Sequence, residues 1–220
     1  MGGAPVTDAL GANSMLRIWG RLSSINVQKV VWCADELGLP YERTEAGGAF
    51  GVVDTPEYLA MNPNGLVPLI EDDGFVLWES NAIVRYLAAR HGEGSLWPAD
   101  LRLRAEADRW MDWQNFSYSP AMLAAFRGLV RTAPGERDTQ AIEASRRKSE
   151  AAAAILEAHL ATREYVAGGS FTMGDIPVAL ATQRWFGLPL EHEQRPNLRR
   201  WIERLRARSG AARVLALPLT

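Results

Sequence analysis

The chain has 220 residues, a formal net charge of -2 and 47% hydrophobic residues, enough for one large domain or two modest ones that bury their cores without metal or disulfide staples. Acidic and basic residues are interspersed along it, which gives no reason to expect nucleic acid or an anionic membrane as a partner. A single cysteine, Cys33, excludes an intramolecular disulfide framework and fits a reducing cytoplasm.

Met1 to Ser14 is small and polar, lacks the basic start and apolar run of a secretory signal, and reads as a flexible leader. No apolar stretch approaches the length of a membrane span, so a soluble protein is expected. Met15 to Trp19 is a short apolar run ending at Gly20, hence a strand. Val27, Val30, Val31, Ala34 and Leu37 recur at helical spacing, and Gly38 ends that helix. Tyr41 to Glu45 suits a second strand, parallel to the first through a right-handed crossover. Gly47, Gly48 and Gly51 mark a loop, and Thr55-Pro56-Glu57 has the form of a helix start with proline at the first helical position. Strands over Val67 to Ile70 and Phe75 to Trp78, joined at Glu71 to Gly74, precede a helix over Ser80 to Arg90. The order is βαβαββα.

Gly92 to Pro98 is turn-rich and reads as a linker, and beyond it the periodicity is helical almost to the end. The expected division is therefore 15–93 for an α/β unit, 94–100 for the linker and 101–220 for an all-helical unit. In the second unit Leu101 to about Val130 and Glu136 to Thr162 read as two long helices separated by Ala133-Pro134-Gly135. Thr172 and Asp175 are spaced as a capping box, in which Asp175 should reach back to the Thr172 amide, and Pro196 to Arg208 is a further helix.

Two short segments carry the chemistry. In Asn62-Pro63-Asn64-Gly65-Leu66-Val67-Pro68, turn residues lead into a strand that begins with a proline. Proline has no ladder donor, so Pro68 belongs to an edge, a bulge or a special turn such as a cis one. A cis Val67-Pro68 bond would turn the Val67 backbone outward, where its amide and carbonyl could pair with an extended, peptide-like ligand. At Glu79-Ser80 a strand meets a helix, and Ser80 suits the cap. The free amides there, the helix dipole and the Ser80 hydroxyl suit a carboxylate, while Glu79 suits an ammonium group. Together these describe a receptor for an amino-acid head group.

This βαβαββα unit, with its Val-Pro turn and Glu-Ser pair, followed by a helical unit with a Thr-Met-Gly-Asp box, resembles the cytosolic glutathione transferases over roughly Met15 to Arg208. The resemblance implies a thioredoxin-like first domain, an all-helical second domain and a homodimer. It also implies reduced glutathione as co-substrate, with no other cofactor; His91, His159 and His192 are isolated and lack metal-ligand spacing, so no metal is expected. Val67 and Pro68 would receive the cysteinyl backbone of glutathione, and Glu79 and Ser80 its γ-glutamyl head. In Ser23-Ser24-Ile25-Asn26-Val27, Ser24 matches the family's activating serine and Asn26 an asparagine used by some bacterial members, with Ser23 the alternative. Such a hydroxyl stabilises a thiolate whose free pKa is about 8.5; a serine that merely caps the helix is the plainer alternative. Many members carry a basic residue before the Val-Pro pair for the glycine carboxylate, but this chain has Leu66, which leaves Arg21 and Arg43 as candidates. Trp113 and Phe116 could line an acceptor pocket or belong to the core. The implied activity is transfer of glutathione to an electrophile; reduction of glutathione disulfides, or a non-catalytic binding role towards a macromolecule, are the alternatives.

Overall fold

A computed structural model describes residues 15–220; the leader segment lies outside the described residues. Strand β1 (Leu16–Trp19) buries Leu16 and Ile18 and exposes Arg17, the alternation of a half-covered strand. Helix α1 (Ile25–Glu36) follows and turns its Val27, Val30, Val31 and Ala34 face into the core. It ends where Gly38 takes φ +65° and the Leu39 amide bonds the Ala34 carbonyl at 3.0 Å, the glycine-terminated form that satisfies the last carbonyls. Strand β2 (Tyr41–Thr44) then lies parallel to β1. Helix α2 (Pro56–Met61) has Thr55 as its cap, with the hydroxyl accepting from the Tyr58 amide.

Strand β3 is Leu69–Asp72, antiparallel to β1, and β4 (Phe75–Trp78) is antiparallel to β3. The sheet order is β2-β1-β3-β4. The third strand thus starts two residues later than its apolar run suggested, since Pro68 cannot donate and the Val67-Pro68 bond is cis. The hairpin turns on Asp73 and Gly74, both at positive φ, the conformation that matches the twist of paired strands. Helix α3 (Ser80–His91) closes the unit.

The helical unit begins at α4 (Leu101–Trp113), capped by Asp100. The long helix expected here is interrupted by π turns at Gln114–Tyr118 and Arg127–Arg131, on either side of α5 (Ser119–Phe126). Helix α6 (Thr139–His159) starts at the Asp138 cap. Buried Ala152 and Ala153 on α6 permit its close approach to α5. Helices α7 (Asp175–Gly187), α8 (Pro196–Arg206) and α9 (Ser209–Leu215) complete the chain.

The two units share one hydrophobic core. Helix α1 packs on α3 from one side and on α7 and α9 from the other. Trp32 of α1 stacks on Phe171, with ring centroids 6.0 Å apart. The Arg208 guanidinium bonds the Glu36 carboxylate across the same junction, and the Leu96 carbonyl of the connecting segment accepts from the Met173 amide at 2.9 Å.

Candidate active site

The register of the sheet brings the candidate residues to one place. Trp19 and Trp78 are both paired with Leu69, and Trp19 with Thr44. The segment from Gly20 to Ser24, the Val67-Pro68 turn and the Glu79-Ser80 pair therefore emerge from the same end of the sheet. Gly20 shows how tightly they meet: at φ +152°, a Cβ there would lie 2.4 Å from Val27 Cγ2 and 3.2 Å from Val67 Cβ. Only glycine lets the chain pass between α1 and the Val67 turn.

Ser24 is the N-cap residue of α1 in backbone terms, and its carbonyl accepts from the Gln28 amide at 2.9 Å. Its hydroxyl makes no capping bond, so it remains available beside the amides of the first turn. The preceding loop is held by Gln28, whose Nε2 donates to the Leu22 carbonyl at 2.9 Å. Asn26 is exposed on that first turn. Ser23 faces the other way, towards α7 and the C-terminal residues, and its carbonyl accepts from the Thr220 hydroxyl at 3.3 Å.

Val67 lies outside the ladder, and among the described residues its amide and carbonyl have no hydrogen-bond partner. The turn before it is fixed at the Leu66 carbonyl, which accepts from Tyr58 Oη at 2.6 Å and from Asn62 Nδ2 at 2.8 Å. Tyr58 and Asn62 are almost wholly buried. Their contribution was not read from the sequence, although the Asn62-Pro63-Asn64-Gly65 turn begins only four residues after Tyr58. The Leu66 side chain points into solvent.

Glu79, not Ser80, is the cap residue of α3, at φ 73° and ψ 108°. This positive φ redirects the chain sharply from β4 into the helix, leaves the Glu79 side chain exposed and puts Ser80 at the first helical position. The Ser80 hydroxyl then faces inward, where it accepts from Lys29 Nζ at 3.4 Å. Lys29 is 1% exposed. Burial is the main cause that lowers its pKa to about 7, with Arg184 and Arg85 acting in the same direction and Glu79 opposing them. Its only sequence signal is a lysine within the apolar run Val27 to Ala34.

The remaining candidates divide. Arg43 donates to the Gly20 carbonyl at 2.7 Å and pairs with Glu45, whereas Arg21 lies along Gly47 and Gly48 beside Val67 and has no ion-pair partner among the described residues. Trp113 packs edge-on against Trp110 at 4.9 Å and lines a groove with Ala152 and Ile155 of α6. Phe116 is 75% exposed. Neither lies on the wall around Ser23, which is made by Leu180, Arg184 and the residues after Leu217. Cys33 is sealed in the core, and burial drives its thiol pKa upward. Among the described residues no group of three His, Cys, Asp or Glu side chains could hold a metal ion.

Residues 23–90 match the family described as glutathione S-transferase, N-terminal domain, and residues 113–209 the glutathione S-transferase, C-terminal domain. The chain is 46% identical over 208 residues to glutathione S-transferase GstB of Escherichia coli strain K12, spanning 94% of this chain and 100% of that protein. It is 32% identical to glutathione S-transferase 3 of Zea mays, over 93% of this chain and 95% of the other. Among solved structures, the theta class glutathione S-transferase from Xanthomonas axonopodis pv. citri with glutathione bound superposes with a TM-score of 0.89. It is 46% identical to this chain, and the match covers 93% of this chain and 99% of that one.

Proposed function

The chain belongs to the glutathione S-transferase family, and on that premise we propose that it binds reduced glutathione at the end of the sheet and transfers it, as a thiolate, to an electrophilic small molecule. The observation that carries this is the convergence of three groups at one end of the sheet: the uncommitted Ser24 hydroxyl, the unpaired Val67 backbone and the Glu79-Ser80 pair at the start of α3. Val67 pairs strand-like with the cysteinyl residue. The first-turn amides of α3 and the Ser80 hydroxyl take the γ-glutamyl carboxylate, and Glu79 takes its ammonium group. This orients the cysteinyl sulfur towards the start of α1. There the Ser24 hydroxyl donates to the developing thiolate and the helix-end amides add positive potential, with Asn26 supporting them. The thiol proton passes to solvent, the thiolate lone pair forms the new bond to the electrophilic carbon, and either a leaving group departs with its bonding pair or a ring C–O bond breaks to an alkoxide that takes a proton from solvent. Ser24 therefore stabilises an anion and forms no covalent bond itself.

Arg21 takes the glycine carboxylate, because Leu66 cannot and Arg43 is engaged with Gly20 and Glu45. Acceptor contacts are assigned to the helical unit, with Trp113 and Phe116 as its aromatic candidates. The chain works as a homodimer in the cytoplasm. Exposed Phe75 and Trp78 on β4 and Leu123 on α5 support a second copy, and no helix among the described residues is long and apolar enough to cross a membrane. In a disulfide-reducing variant of the same chemistry, the resolving thiol would come from a second glutathione, since Cys33 is inaccessible.

Calorimetric titration with glutathione tests the proposal: binding at millimolar concentration or tighter is expected, and none overturns it. A panel of halogenated aromatics, epoxides and mixed disulfides then separates conjugation from disulfide reduction.

A further inference from the structure

Behind the Glu79-Ser80 pair lies an arrangement that the proposed chemistry has not used. Lys29 and Lys148 are the two lysines of the chain, and Lys29 is enclosed by protein at 1% exposure. Its ammonium has three donors, yet the Ser80 hydroxyl is its one hydrogen-bond partner among the described residues, and no carboxylate there lies within ion-pair distance. A buried lysine with so little compensation is costly to the fold and is retained where its charge is used.

We propose that Lys29 is a positioning residue of the head-group subsite, whose ammonium, held on Ser80 Oγ, makes the Ser80 hydroxyl a donor and selects ligands that carry a carboxylate there. The inference rests on the assignment of glutathione to this site. An ammonium only donates, so Ser80 Oγ must accept from it, and the hydroxyl proton is left to be given to another acceptor. Serine alone could present either a proton or a lone pair to a ligand. With Lys29 behind it, it presents a proton backed by a positive charge in a poorly solvated place, which suits an anion and opposes a neutral or cationic group.

The charged groups around the ammonium are Glu79 at the start of α3, Arg85 further along α3 and Arg184 of α7. Glu79 favours the protonated lysine, and the two arginines oppose it. Arg85 is itself paired with Asp108 and Asp112, and the guanidinium of Arg184 lies over the Phe126 ring at 4.1 Å. In the free protein burial, with this balance of charges added to it, lowers the Lys29 pKa to about 7. An arriving carboxylate favours the charged form, so the anion and a proton bind together. Affinity for a carboxylate ligand should accordingly fall as pH rises above 7, while affinity for a ligand lacking that carboxylate should not.

The test compares glutathione with 4-aminobutyryl-cysteinylglycine, which keeps the amine, the thiol and the glycine but lacks the head-group carboxylate. Calorimetric affinities for both, measured at pH 6.5 and 8.5, give a preference ratio in which thiol ionisation cancels. The native chain should prefer glutathione by roughly ten- to a hundredfold at the lower pH, the worth of a charged hydrogen bond, and by several-fold less at the higher. Lys29→Met should shrink the ratio and remove its pH dependence, and Lys29→Arg should restore a preference that no longer varies with pH. Equal losses for both ligands in Lys29→Met, or an unchanged ratio, would reduce Lys29 to a packing residue and overturn the inference. So would a pH-independent ratio in the native chain, a measurement that needs no variant to fold. Failure of the native chain to bind glutathione at all would instead overturn the function itself.

Discussion

At Ser24 one residue ends the loop and also faces the proposed thiol. Its backbone begins α1 while its hydroxyl stays out of the helix, so Ser24→Ala should leave the fold intact. Steady-state kinetics should show kcat lowered on the order of a hundredfold, the usual worth of one preorganised donor to a reacting anion, with glutathione affinity changed much less. Equal turnover would move the role to Ser23 or Asn26. Lys29 carries a second expectation, one of stability. Its folded pKa, about 7, lies below the ordinary lysine value near 10.4 that an unfolded chain keeps. Between those limits the unfolded state binds more protons, so stability without ligand rises with pH across that window. Thermal melts should show Lys29→Met with a higher midpoint than the native chain at pH 6.5 and a gap that narrows towards pH 9. A residue kept only for packing would give the opposite order at every pH.

Two element boundaries explain how the site is held. The first is the entry to α3, where Glu79 occupies φ 73° without being glycine. Such a conformation costs about 1–3 kcal/mol and persists where the structure around it uses it. Glu79→Gly relieves that strain but adds backbone freedom to the unfolded chain. Chemical denaturation should therefore show a net gain of roughly 1 kcal/mol or less, accompanied by a clear loss of glutathione affinity. The second is the entry to α7. Asp175 accepts from the Thr172 amide and the Val166 amide, each at 2.9 Å, and from Trp201 Nε1 at 3.0 Å. The return bond to Thr172 is the one expected of the capping box; the other two reach a loop and α8. Burial outweighs these donors and raises the carboxyl pKa to about 6, yet removing the group leaves the two amides, the Trp201 indole N–H and the Thr172 hydroxyl, all buried, without this acceptor. Asp175→Ala should lower unfolding free energy by about 3 kcal/mol or more, and any loss of activity should track the loss of folded protein.

Across the whole molecule, the α/β unit and the helical unit are joined through α1. Its core face packs on α3, while α7 and α9 cover it from the second unit, with Trp32 against Phe171 and Glu36 bound to Arg208. At Gly210 the approach of α9 leaves no room, since a Cβ would lie 2.9 Å from the Glu36 backbone nitrogen. A core continuous through both units should unfold as one. Heating followed by tryptophan fluorescence and by far-ultraviolet dichroism should give coincident transitions, and Gly210→Ala should lower both midpoints together. Two separated transitions would show units that fold independently.

Much of this was legible in the order of residues. The short apolar run from Met15 to Trp19, the helical spacing from Val27 to Leu37, the turn from Glu71 to Gly74 and the proline after Val67 are local signals, because each reflects how one short segment meets its own backbone and one apolar face. The motifs Val67-Pro68 and Glu79-Ser80 pointed to two segments that the fold brings to the same end of the sheet. The long-range facts needed the fold. That Glu79 and not Ser80 caps α3 follows from a backbone turn imposed by strand pairing. That Trp113 packs against the core and α6 while Phe116 stands exposed, both off the wall around Ser23, depends on how α6 covers α4. Lys29 is the sharpest case: a lysine in a helix is ordinarily a solvated charge, and only the packing of α3 and α7 around α1 encloses it and brings its ammonium to Ser80. Sequence determined the segments, their turns and the family; tertiary structure decided which polar groups lost their water, and with it which charges the site can use.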